Sequence, residues 1–123
     1  MKTAVALILC LVISTAARAD CAEPKAHAMT AYGVAPECDG EERACRWTFT
    51  LGADGSRTLF DELRSRLEAC PDMAGMTRDQ GVNHPDFYDA WIFQFADAAL
   101  SVSIKDKAAL GQTFVVLRTV KLP

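Results

Sequence analysis

The chain has two histidines among its 123 residues, no Cys-x-x-Cys pair, no glycine-rich phosphate loop and no Gly-x-Ser-x-Gly elbow. Each absence removes a class of chemistry. Without the elbow, none of Ser56, Ser65, Ser101 and Ser103 stands in the setting of a hydrolase nucleophile. Without Cys-x-x-Cys there is no thioredoxin-like redox centre, and the spacing of Cys38 and Cys45 matches no standard zinc-ligand pair. With His27 and His84 alone, few triads can be assembled. After residue 19 no run is long and apolar enough for a bilayer, which takes roughly 20 consecutive residues, so the remainder is expected to be soluble.

Basic residues are scarce too. Thirteen Lys and Arg stand against sixteen Asp and Glu, a net charge of −3. Lys2 and Arg18 lie in the first 19 residues, so the rest carries 11 − 16 = −5. That balance argues against nucleic acid, whose phosphates need clustered cations. It equally disfavours an anionic membrane surface.

What is present begins with an export signal. Lys2 is followed by the apolar run Ala4 to Ile13, and Ala17-Arg18-Ala19 puts small residues where a signal peptidase reads. Residues 1–19 are therefore expected to be a cleaved signal peptide. Residues 20–123 are expected to be one periplasmic or secreted domain, with no membrane insertion after cleavage. Cys10 leaves with the signal. Cys21, Cys38, Cys45 and Cys70 form an even set in a small exported chain, which predicts two disulfides. A strand rising from Cys45 and a helix returning to Cys70 cover similar lengths, which favours Cys45–Cys70 and leaves Cys21–Cys38 by default.

The domain opens with an arm, residues 20–44, that lacks periodicity and is expected to be held by disulfides. Its acidic stretch Glu37 to Glu42 reads as a solvated turn or a face for a basic partner. Arg46 to Leu51 alternates, with Trp47, Phe49 and Leu51 on one side, and predicts a strand closed by a turn at residues 52–55. Leu59, Phe60, Leu63 and Leu67 repeat at helical spacing, with Thr58 as N-cap and Pro71 as the stop. Residues 72–89 read as a long connection. Three strands follow. The first places Trp91, Phe93 and Phe95 on one face, and the second does so with Leu100, Val102 and Ile104. The third, apolar on both faces, is expected to be central or most covered. The predicted fold is α+β: a small antiparallel sheet of about four strands, ordered β-α-β-β-β, with one helix on one face.

Candidate chemistry gathers in Asn83 to Asp89. His84, Asp86, Tyr88 and Asp89 bring an imidazole, two carboxylates and a phenol together before a strand, as candidate binding residues. His84, Asp86 and Asp89 suit zinc, and Met73 and Met76 with His27 suit Cu(I). His84 could serve a small hydrolase as base. The run reads first as turn structure, since Asn and Asp beside proline cap local backbone. No catalytic residue and no cofactor are assigned. The expectation is a non-enzymatic exported binding module, an inhibitor or protective partner of another exported protein or a binder of a small ligand. A periplasmic metal-binding protein and a His84 hydrolase are the alternatives.

Overall fold

In the computed structural model, residues 21–41, 43–80 and 86–120 are described. Alternation dictates the first long strand. Ala44–Thr50 sends Cys45, Trp47 and Phe49 inward and Arg46 and Thr48 outward. This is β2, because Glu37–Cys38 of the arm forms a two-residue β1 against its start, with Cys38 opposite Cys45. Leu51 falls beyond the strand and is exposed, so the inward triad is completed by Cys45 instead.

The helix α1 spans Asp54–Glu68 and buries Ser56, Leu59, Phe60, Leu63 and Leu67, the predicted stripe with one added hydroxyl. It starts four residues before Thr58. Ala53 is the N-cap without a side-chain bond, while the Thr58 hydroxyl donates to Asp54 O within the first turn. Gly55, read from sequence as part of a turn, lies inside the helix for a steric reason: a Cβ there would stand 2.8 Å from Tyr32 Cβ. The helix stops ahead of Pro71, as expected.

Four strands complete the sheet: β3 at Gly75–Asp79, β4 at Tyr88–Gln94, β5 at Ala99–Lys107 and β6 at Gln112–Val120. All pairings are antiparallel, in the order β1-β2-β6-β5-β4-β3. The sheet thus has six strands where about four were expected. The two additions are its edges. Each is paired on one side only and largely exposed, so neither shows the buried alternation by which a strand is read. A 3-10 turn, Ala108–Leu110, ends at Gly111 in the left-handed region and joins β5 to β6.

β2 and β3 lie on opposite flanks of the three strands β4, β5 and β6, so the chain must cross the sheet between them. Four strand spacings come to about 19 Å, and fifteen helical residues reach about 22 Å. The helix is therefore long enough to span the width, and it packs on β4, β5 and β6. Trp47, Phe93, Leu100, Val102, Val115 and Leu117 meet its apolar stripe in a single core.

The same crossing overturns the expected disulfide pairing. The bonds are Cys21–Cys70 and Cys38–Cys45. Four residues after Cys70, Ala74 N donates to Gln94 O of β4, whereas Cys45 lies on β2 with β6 and β5 between. The Cys45 sulfur is met by its cross-strand neighbour Cys38, at a Cα separation of 4.0 Å. Cys70 takes the start of the arm. Two disulfides point to an oxidising, extracellular type of environment. No described helix is long and apolar enough to cross a membrane.

The arm is held by more than its disulfides. Pro24–His27 is a 3-10 helix, and buried His27 bonds Cys21 O through Nε2 at 3.0 Å. The Trp47 indole donates to Met29 O at 2.8 Å. Tyr32 and Gly33, both with positive φ, make a two-residue turn between Ala31 and Val34, and the Tyr32 hydroxyl donates to Glu62 of the helix.

Candidate functional site on the open face of the sheet

The helix covers one face of the sheet, and no described element covers the other. Period-two alternation fills that open face from five strands at once. One row of paired residues runs Arg46, Val116, Ser103, Ala90, Asp79. The next runs Thr48, Phe114, Lys105, Tyr88. Ala90 and Ser103 are buried and form the floor, while Tyr88, Phe114 and Val116 are half-buried and Arg118 is exposed. Of these, Tyr88, Ser103, Lys105, Phe114, Val116 and Arg118 line an open concavity of about 680 Å³.

Its chemistry is mixed in a particular way. The Arg46 guanidinium lies 5.1 Å from the Phe114 ring centre and 3.6 Å from Glu37 of β1. Tyr88 is raised above its ordinary value of 10.0, first by burial and then by Asp79, with Asp89 adding and Arg118 opposing. Lys105 is lowered, first through its hydrogen-bond contact with Lys107 and then by desolvation and like charge, against Asp86. Rings, hydroxyls and cations are therefore interleaved, with no nucleophile–base pair among them.

The residues singled out from sequence do not converge here. Tyr88 points to the open face, whereas Asp89, one residue on, points to the helix side and is buried. There Asp89 accepts a two-pronged ion pair from Arg78 of β3, at 2.8 and 3.0 Å. Asp86 Oδ2 accepts from Ala108 N at 3.4 Å. His84 lies outside the described residues, so the zinc and hydrolase readings rest on a group whose place is not described. Among the described residues no three His, Cys, Asp or Glu side chains gather for a metal. Of the thioether set, Met73 packs against the core, Met76 is exposed on β3, and His27 is engaged by Cys21 O. The acidic stretch Glu37 to Glu42 partly satisfies itself: Glu41 pairs with Arg43, and Asp39 Oδ1 accepts from Arg43 N. A second concavity, of about 560 Å³, lies between the arm and the β4–β5 turn, with Glu23, Asp72 and Asp97 in its wall.

Arg46, Phe114, Val116 and Arg118 were missed from sequence. Their signal was the apolarity of both faces of β6, read as coverage. β6 is indeed interior to the sheet, between β2 and β5, but Phe114 and Val116 face the uncovered side. Comparison of the chain with protein-family models, curated proteins and solved structures finds no match.

Proposed function

We propose that this chain is a small exported, non-enzymatic binding module that docks on another exported protein through the open face of its sheet. An inhibitor or a protective partner is the form of module that fits its size. The observation that carries the reading is the set Tyr88, Phe114, Val116 and Arg46 on a face that no described element covers. Aromatic rings and arginine are what protein–protein interfaces enrich, and uncovered apolar side chains grouped on one face mark such sites. The signal-like residues 1–19 and the two disulfides support export.

A photo-cross-linking amino acid placed at Val116, and in a second protein at the exposed outer-helix position Arg66, tests this in the exported fraction. The expected result is an adduct from position 116 and none from position 66, with the purified adduct partner then binding the unmodified protein. No adduct at 116, or equal adducts at both positions, sinks the reading.

A further inference from the structure

Charge is unevenly shared between the surfaces of this molecule. The open face carries Arg46, Lys105, Lys107 and Arg118 against Glu37 and Asp79, with Asp86 at its rim beside Lys105, a balance of 4 − 3 = +1. The chain as a whole is at −3. The cations also stand where they oppose one another. Lys105 and Lys107 share a face two residues apart, and Lys107 is close enough to pull Lys105 below its ordinary value. Like charges brought together on an exposed surface oppose folding slightly, so stability does not explain the arrangement.

Resting on the proposed docking role, we infer that the open face receives an acidic, extended segment of the partner protein, its carboxylates meeting Arg46, Lys105 and Arg118 and an apolar side chain meeting Phe114 and Val116. The spacing supports a polypeptide in extended form. From strand and residue spacings, Arg46, Lys105 and Arg118 have backbone positions about 8 to 14 Å apart. Side chains on one side of an extended chain recur every 6–7 Å or so, so acids at i, i+2 and i+4 span the same range. Val116 and Ser103 sit between the three cations, and the Phe114 ring lies beside Lys105 under Arg46. An acidic strand crossing there sets its carboxylates over cations and its intervening side chain over the ring.

The probe is a labelled decapeptide of alternating Glu and Thr with one central Phe, compared with its Gln-for-Glu counterpart, a heparin hexasaccharide and anionic phospholipid vesicles. The protein is produced from the full sequence and recovered from the exported fraction. The acidic peptide should bind, at least about tenfold more tightly than the Gln peptide, and weaken about tenfold between about 50 and about 300 mM salt. Backbone amide shifts should map to residues 101–107 and 114–118. Lys105→Glu and Arg118→Glu should each cost about tenfold while Arg66→Glu, on the outer helix, costs nothing. Unchanged thermal unfolding of each variant separates lost binding from lost folding. Equal binding of the Gln peptide, shifts elsewhere, or binding of heparin or vesicles without the acidic peptide would overturn the inference. If the cross-link at position 116 forms but the acidic peptide does not bind, the docking role stands and its acidic partner falls.

Discussion

The two faces of this sheet are built from the same strands and end in opposite states. On the helix side, Trp47, Leu100, Val102, Val115 and Leu117 are each 0% exposed. One residue along each strand, Thr48, Ser101, Ser103, Val116 and Arg118 face a side that has no second layer among the described residues. The difference shows how a small chain divides its apolar residues. It has one helix of useful length among the described residues, enough to cover one face. Stability is concentrated there, and the open face is left with rings and cations that the core does not need. Substitutions should therefore act on different observables according to the face they touch.

The sharpest contrast is between two aromatic residues on neighbouring strands. Trp47→Ala removes a fully buried indole and its bond to Met29 O. It should cost about 3–5 kcal/mol in urea unfolding. Phe114→Ala, on the open face, should cost about 1 kcal/mol or less, since it loses a half-buried ring and an exposed cation–π contact. Similar costs at the two positions would mean that the open face is covered after all.

The disulfides extend the comparison to covalent ties. Cys21–Cys70 closes a separation of 49 residues and fastens the arm beside the core, whereas Cys38–Cys45 closes 7 at the sheet's edge. Loop-closure entropy assigns about 4 kcal/mol to the first and about 2 kcal/mol to the second. Replacing each pair with serine and measuring unfolding should reproduce that order. The reverse order would show that β1 organises more of the fold than its two residues suggest.

What could be read from sequence follows the same division. The helix stripe and the inward positions of β2, β4 and β5 were legible because burial imposes a period on them. The edge strands were not. Gly75–Asp79 has exposure at nearly every position, so no alternation marks it as a strand. The helix start was hidden because Gly55 is required by the approach of Tyr32, a contact between residues far apart in sequence. The disulfide pairing failed for want of one fact, that the helix packs over β4, β5 and β6 rather than back over β2. The candidate site was half legible. Tyr88 was named, but its partners come from β2, β5 and β6, and only the register places them beside it.

At the rim between the faces, Arg78 and Asp89 form an ion pair of unequal members. The Asp89 side chain is 8% exposed and that of Arg78 is 48% exposed. Arg78 also lies 5.4 Å from the Trp91 ring centre, as does Arg64. Removing the arginine strands a buried carboxylate, while removing the carboxylate leaves a cation that reaches water. Arg78→Ala should therefore cost more in urea unfolding than Asp89→Ala, with the double variant close to the larger single loss. Equal losses would place the rim with the open face in its energetics.

The smallest expected effect is the share of the alkaline pH dependence that Tyr88 contributes on the open face. Tyr88 is raised above 10.0 chiefly by burial, then by Asp79, with Arg118 opposing. A group whose folded value is raised adds stability that is present below its unfolded value and is lost as pH climbs through the folded one. Wild type should therefore lose stability above pH 10 faster than Tyr88→Phe, and the two should be parallel below it. Tyr32 provides the internal contrast, being raised first by its hydrogen bond to Glu62 rather than by burial. The Tyr32→Phe variant leaves Tyr88 as the sole phenol in the chain, so phenolate absorbance then follows the open face directly. In that variant, Arg118→Gln should raise the midpoint further and Asp79→Asn should lower it. A midpoint that ignores both substitutions would separate Tyr88 from the charges around it and remove it from the docking surface.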